Sequence, residues 1–292
     1  MKLRLLALAA LATVGTAPAH AASTSSASFT DITFELIDLN PADMLAPTIT
    51  FVTDSNSASY VHAEVSVFDP NTGSDGANLT KTGVRSTTPK STSVNYGSAL
   101  AGASVTGDNT TTLSGEGEYT SVVSAMSASG GSGSPSAGGS ANYSATAQLP
   151  NWWWAQNFFL GNNTALLITT NATVTAENTV GFDGMYSESS SASLSLIISG
   201  AGPTGSGSQS FSDSLSTSIS GWAGTDTQNR TMAAAFLNTS GGDLYGYLQM
   251  QASVNGYSSV VSTPVPEPET YAMMLAGLGA LGFIGRRRKQ QK

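Results

Sequence analysis

Residues 60–68 read YVHAEVSVF, and apolar and polar side chains alternate without a break from Val61 to Val67. A period of two places the apolar side chains on one face of a strand and the polar ones on the other. That pattern is typical of an antiparallel sheet with one buried face. Residues 31–36, DITFEL, repeat it. The two stretches therefore predict half-buried strands of an antiparallel sheet.

Similar runs recur along the chain, and none of them has a convincing helical period. Between the last two runs, NTSGGD at residues 238–243 predicts a hairpin turn. The further strand-like runs lie at residues 48–53, 118–126, 165–177, 192–198, 230–238 and 243–254. We therefore predict an all-β fold, a single antiparallel β-sandwich of jelly-roll type, over residues 22–263. A right-handed β-solenoid is the alternative, but the chain has no repeat of fixed length.

Two segments rich in Gly and Ser interrupt the strand pattern. Residues 129–140, SGGSGSPSAGGS, predict a flexible loop, and residues 200–210 predict a second, shorter one. Neither segment needs to separate domains, so we expect one sandwich of about 240 residues.

Charge and cysteine content exclude several classes of function. Residues 22–266 carry four basic and seventeen acidic side chains, a net charge of −13. Such a surface has too few cations to neutralise phosphates, which excludes nucleic acid as a partner. The chain has no cysteine. It therefore has no disulfide, and it cannot hold an iron–sulfur cluster or a zinc ion through thiolates.

The first 21 residues have the parts of a secretory signal peptide. Lys2 and Arg4 give a positive start, and an apolar run follows at residues 5–14. Ala19 and Ala21 form the small-x-small site that signal peptidase recognises. The apolar run is too short to cross the roughly 30 Å hydrocarbon core of a membrane. We therefore predict export, with cleavage after Ala21.

Residues 264–292 have three parts in sequence. The segment PVPEPE at 264–269 is stiff, because each proline fixes its own backbone and restricts the residue before it. Residues 271–285 carry no charge and predict one short transmembrane helix of about 22 Å. The basic cluster RRRK at 286–289 follows at once, which predicts a cytoplasmic C-terminus.

This arrangement resembles the PEP-CTERM sorting signal of Gram-negative bacteria. The resemblance implies that exosortase recognises the tail and cleaves it near the Pro-Glu-Pro. It also implies a precursor anchored in the inner membrane and a product at the cell surface or in the exopolysaccharide matrix. Some ice-binding proteins carry the same tail, so the tail alone does not specify an activity. The residues that carry the resemblance are Val265, Pro266, Glu267, Pro268, Arg286, Arg287 and Arg288.

Two segments of the body are also similar to segments of uncharacterised members of this group. One is residues 34–43 leading to 47–51, and the other is residues 159–164 leading into the run at 165–177. This second resemblance brings no known catalytic residue.

The body has no recognisable catalytic set. His62 is its only histidine, and no Gly-x-Ser-x-Gly elbow is present. Glu116 and Glu118 are only about 7 Å apart along one strand, and nothing near them in the sequence would prepare one of them as a general acid. Residues 69–76, DPNTGSDG, space oxygen ligands like a calcium loop, but Thr80 stands where a closing glutamate is needed. A turn between strands is the better interpretation. We expect no enzyme activity, no cofactor and no metal ion.

Aromatic and threonine-rich segments suggest a binding role. Trp152, Trp153 and Trp154 contact a glycan under one hypothesis and close one end of the core under the other. Outward threonines at residues 110–112 and at 169, 173 and 175 suggest a flat face for ice or glycan. We predict an extracellular matrix or surface structural protein linked to exopolysaccharide or biofilm. A glycan- or ice-binding surface protein is the alternative.

Overall fold

The computed structural model describes residues 21–261, except 53–57, 84–86, 109, 121, 134–135 and 150–156. These residues belong to one unit, which ends at Val261. They form sixteen strands and one short 3-10 turn at Pro41–Asp43, with no α-helix among them. Strands pair only in the antiparallel sense within this described part. The prediction of an all-β, antiparallel fold is therefore confirmed.

The first sheet has seven strands. They are β1 (Ser23–Asp38), β5 (Lys90–Tyr96), β6 (Ala99–Thr106), β8 (Gly117–Tyr119), β9 (Ala125–Ser132), β12 (Thr164–Gly181) and β15 (Trp222–Asn238). Their order is β15-β12-β1-β9-β6-β5, and β8 pairs with the end of β1.

The second sheet has nine strands. They are β2 (Thr48–Phe51), β3 (Tyr60–Asp69), β4 (Gly73–Thr82), β7 (Thr112–Ser114), β10 (Ser140–Leu149), β11 (Phe158–Leu160), β13 (Tyr186–Ala201), β14 (Ser208–Ser220) and β16 (Leu244–Val260). Their order is β4-β3-β10-β16-β11-β2-β7, and β13 pairs with both β16 and β14. The last strand, β16, therefore forms ladders with three others, β10, β11 and β13.

One core of buried apolar side chains draws on both sheets. The predicted inward residues Val61, Ala63 and Val65 of β3 are buried in it. Aromatic rings meet edge to face at two places, Phe34 with Phe51 and Phe158 with Phe236.

A buried polar side chain, that of Tyr143 of β10, bridges the two sheets. Its hydroxyl lies 2.8 Å from Ser25 Oγ of β1. Its ring lies so close to Gly130 of β9 that a Cβ on that glycine would come within 2.2 Å of Tyr143 Cδ2. Burial raises the pKa of Tyr143 to about 12, because the interior disfavours the phenolate.

The predicted Gly/Ser-rich loop at 129–140 is wrong at its start. Residues 129–132 are the end of β9, and residue 140 begins β10. Gly130 is in the strand because only a residue without a side chain leaves room for Tyr143. The second predicted loop, 200–210, is likewise shorter, since its ends belong to β13 and β14.

Two other predictions need correction. The run at 118–126 is not one strand, because β8 ends at Tyr119 and β9 begins at Ala125. The turn at 238–243 is present but does not close a hairpin, since β15 and β16 are in different sheets. Asn238 fixes this crossing: its Nδ2 donates to the backbone oxygens of Leu160 (2.9 Å) and Gly161 (2.7 Å).

Candidate functional site

Most of the predicted sorting and binding residues lie outside the described residues. These are Ala19, Trp152, Trp153, Trp154, Val265, Pro266, Glu267, Pro268, Arg286, Arg287 and Arg288. Ala21 is described, and it lies buried two residues before the start of β1.

The outer face of the first sheet carries two parallel rows of hydroxyl side chains, here called the hydroxyl face. Each row crosses six strands, β15, β12, β1, β9, β6 and β5, and contains five Ser or Thr residues. The first row is Thr227, Thr175, Ser26, Ser129, Gly102 and Ser93. The second row is Asn229, Thr173, Ser28, Ser127, Ser104 and Ser91.

Regular backbone geometry spaces these groups evenly. Neighbouring strands lie about 4.8 Å apart, and residues two apart on a strand lie about 6.7 Å apart. Some of the hydroxyls bond to each other: Thr175 Oγ1 lies 3.1 Å from Thr227 Oγ1, and Ser104 Oγ lies 2.9 Å from Ser127 Oγ. Neither row contains a charged residue. The face therefore offers a grid of neutral donors and acceptors.

A shallow depression of about 370 Å³ lies on the β5 side of this face. Gly102 contributes to it, and Lys81 of β4 and Ser104 are also in its lining. A second depression, of about 430 Å³, lies beside Asn95 and Leu100. The cations of Lys81 and Lys90 thus border the β5 side of this face.

The predicted threonine groups lie on different sheets. Thr173 and Thr175 belong to the hydroxyl face, and Thr169 has the same outward position on β12. Thr112, by contrast, begins β7 at the edge of the second sheet. The sequence could not show this separation, because it depends on which strands pair.

An aromatic strip lies on the outer face of the second sheet. Phe159 of β11 and Tyr245 of β16 are both exposed and are directly opposite each other in the ladder. Tyr247 and Gln249 follow at alternate positions of β16. The Gln249 side chain is 2% exposed, and its amide atoms have no hydrogen-bond partner among the described residues. The sequence could not predict this strip. On β16 exposed and buried residues alternate until Gln249, which is buried at a position where alternation predicts exposure.

The segment that contains the three consecutive tryptophans begins and ends beside this strip. Leu149 pairs with Met250, and Asn157 N donates to Gly246 O (3.0 Å). The Asn157 side chain also bonds both backbone groups of Leu248, at 2.6 and 2.7 Å. The ends of the predicted glycan-contact segment are thus fixed against β16.

The residues considered for catalysis are not assembled into a site. His62 Nδ1 lies 2.8 Å from Thr80 Oγ1, and His62 Nε2 lies 3.5 Å from Glu64. Glu116 and Glu118 are both exposed. No group of three or more metal-ligating side chains occurs in the described ranges. The segment DPNTGSDG does not form a calcium loop. Its first residues are the turn between β3 and β4, where Asp69 Oδ1 accepts from Asn71 N, and its residues from Gly73 onward belong to β4.

The two body segments that resemble uncharacterised group members meet in the structure. Leu39 N donates to Asn163 O (2.7 Å), and Asn163 Nδ2 donates to Asp43 Oδ2 (2.7 Å). Hydrogen bonds from Leu45 N and Asn163 lower the pKa of Asp43. These contacts fix the connection after β1, which points to a structural role.

The described part of the chain is thus an all-β body, in which the residues considered for catalysis do not come together. A comparison with family models identifies a targeting signal: residues 264–289 match the PEP-CTERM protein-sorting motif. The resemblance seen in the sequence is therefore confirmed, and the motif marks an exported, cell-surface protein targeted to exosortase. A search of curated proteins gave no match to the chain. None of the described residues belongs to a helix with the length and apolarity that a membrane crossing requires.

Proposed function

We propose that this chain is a non-enzymatic matrix or surface protein whose body contacts extracellular polysaccharide. Signal peptidase removes residues 1–21, and the helix at 271–285 holds the precursor in the inner membrane of a Gram-negative cell. Exosortase then cleaves near Pro266–Pro268 and releases the body. The two sheets form one sandwich, of jelly-roll type, around the shared core.

The hydroxyl face is the observation that carries this proposal. Polysaccharides are hydrated polymers with many hydroxyl groups, and a neutral grid of Ser and Thr can exchange hydrogen bonds with them without a charge partner. Each net hydrogen bond contributes only about 0.5–1.5 kcal/mol. Affinity therefore depends on many bonds formed together along a polymer, which suits cohesion of a matrix.

The test compares isosteric substitutions on the two outer faces. Thr173→Val plus Thr175→Val removes two hydroxyls from the hydroxyl face and keeps the branched shape that strands favour. The control is Thr146→Val, at an outward position of β10. Loss of two bonds at about 1 kcal/mol each should lower retention of the protein on purified exopolysaccharide by roughly tenfold or more. The control should bind like the parent.

Equal retention of all three proteins would remove the hydroxyl face from the proposal. The matrix role itself is tested by the fraction of the parent protein that stays with the cells and is not released to the medium. If that fraction is the same in cells with and without exopolysaccharide, the protein has no matrix role.

The aromatic strip favours the second candidate, specific recognition of a glycan. Rings such as those of Phe159 and Tyr245 stack on sugar faces, and both side chains are exposed. Ice is the other ligand of this class, favoured by the outward threonines Thr169, Thr173 and Thr175 of β12. A glycan array and a thermal-hysteresis measurement distinguish them. No signal in either assay would exclude this candidate.

A further inference from the structure

Both ends of the described chain lie beside one connection, the residues that join β12 to β13. At the N-terminal side, Ala22 N donates to Thr179 Oγ1 (2.8 Å), and Thr179 N donates to Ala22 O (3.0 Å). At the C-terminal side, Val261 N donates to Met185 O (2.7 Å). The predicted signal peptide and the sorting motif therefore both leave the body at this end.

The same end carries four exposed apolar side chains, here called the tail-proximal patch. They are Phe182 (64% exposed), Met185 (44%), Trp222 (52%) and Val261 (49%). Hydrogen bonds join the backbone around Phe182 to the backbone around Trp222: Phe182 N donates to Gly221 O (3.3 Å), and Gly181 pairs with Trp222. Exposed aromatic residues that cluster in this way mark contact surfaces in soluble domains.

Buried and local hydrogen bonds hold the patch in place. Glu188 is fully buried, and its Oε2 accepts from Val180 N (2.8 Å) and Gly181 N (2.7 Å). Asp183 Oδ1 accepts from Met185 N and from Tyr186 N, both at 2.8 Å. The apolar side chains are therefore displayed on a fixed backbone.

Chain length limits how far this patch can be from a membrane. Nine residues lie between Val261 and Tyr271, where the charge-free segment begins, and the ten residue-to-residue steps span at most about 36 Å when fully extended. Trp and Phe favour the interface between lipid headgroups and acyl chains. No cation lies among residues 177–188 or 220–224, so the attraction would be apolar and not electrostatic.

We propose that the tail-proximal patch rests on the outer surface of the inner membrane while the precursor is anchored. This inference rests on the proposed insertion of residues 271–285. Four side chains give weak binding by themselves, so the tether supplies the high local concentration that holds them at the surface. Cleavage near Pro266–Pro268 removes the tether, and the body then dissociates.

The absence of cysteine from the sequence permits a direct test. The full-length precursor is reconstituted in phosphatidylethanolamine/phosphatidylglycerol vesicles with an environment-sensitive label at one introduced cysteine. Met185→Cys reports on the patch, and Ala276→Cys reports on the tail. Met44→Cys is the matched control, because Met44 is 92% exposed and follows the opposite end of β1. Brominated lipids should quench the labels at 185 and 276 at least twofold and leave the label at 44 unchanged.

The three labels separate the possible failures. Quenching at 276 without quenching at 185 overturns the patch proposal and leaves the tail in the membrane. No quenching at either position overturns both. A label at 185 that is shielded in the absence of lipid, and more so at higher protein concentration, means that a second copy covers the patch, which also overturns the proposal.

A second variant tests the side chains themselves. Phe182→Ser plus Trp222→Ser, combined with the label at 185, should at least halve the lipid quenching at that position. Quenching at 276 and the urea midpoint of the body should stay as in the parent. Unchanged quenching at 185 would show that these rings do not contact lipid.

Discussion

Gly130 offers the sharpest test of how the two sheets pack. Replacing it with alanine would place the new Cβ 2.2, 2.8 and 2.9 Å from Tyr143 Cδ2, Cε2 and Cγ. These distances are well below van der Waals contact, so the ring has to move and its hydroxyl loses Ser25. Overpacking of about 1–3 kcal/mol and the lost bond of about 1 kcal/mol together predict that Gly130→Ala lowers the free energy of unfolding by about 2–4 kcal/mol.

The neighbouring glycine provides the matched control. A Cβ on Gly131 would lie 3.2 Å from the side chain of Thr24, which can adjust, and 3.5 Å from Ser23 O, which is ordinary van der Waals contact. Urea unfolding followed by fluorescence should show a midpoint about 1 M lower for Gly130→Ala, for a slope of about 2–3 kcal/mol per M. Gly131→Ala should change little. In a Tyr143→Leu background the cost of Gly130→Ala should shrink, because the ring is gone.

A different result would refute the packing argument. If residues 129–132 formed a flexible loop, both alanine variants would be neutral or slightly stabilising, because alanine restricts the unfolded chain. A Gly130→Ala protein within about 0.5 kcal/mol of the parent would therefore mean that β9 does not pack against Tyr143.

Three further predictions concern pH and processing. The pKa of Tyr143 is raised to about 12 in the fold. The contribution of this shift to stability is therefore complete below about pH 10 and is lost as pH rises through about 12. Tyr143→Phe should remove that part of the pH–stability profile. The pKa of Asp43 is lowered, so its stabilising contribution is present above its unfolded pKa and is lost as pH falls through the lowered value. Asn163→Ala should raise the pKa of Asp43 toward 3.8 in an NMR titration, and an unchanged value would contradict the contact. Changing Arg286, Arg287, Arg288 and Lys289 to Ser should release uncut precursor, because these cations resist passage through the bilayer centre. Changing residues 266–268 to Ala should instead leave uncut protein in the membrane fraction. Identical processing of both variants would contradict the sorting interpretation.

Alternation of large apolar and polar residues predicted several strands well. The run at 60–68 is β3, and the run at 165–177 lies within β12. In these stretches β-branched and aromatic side chains contrast strongly with their polar neighbours, so a single sequence carries the signal.

Strands made of small residues escaped prediction. The first half of β1, STSSASFT at 23–30, and the end of β9 consist largely of Ser, Ala and Gly. Their intrinsic strand preference is low, and the contrast between Ser and Ala is weak. Long partner strands and the ring of Tyr143 determine their conformation instead. The same limit applies to the hydroxyl face, whose rows combine six strands that are distant in sequence.

Pairing of β16 sets the order of events during export. A secreted chain emerges with its amino end first, and β16 is the last strand to cross. Until it does, β10, β11 and β13 lack their common partner, so the second sheet cannot be completed. Sheets built from such long-range pairs form slowly, and slow folding leaves the chain unfolded while it is translocated. The sorting motif begins at residue 264, four residues after β16 ends. If residues 271–285 anchor the precursor as proposed, the body is therefore still tethered to the membrane when its last strand becomes available.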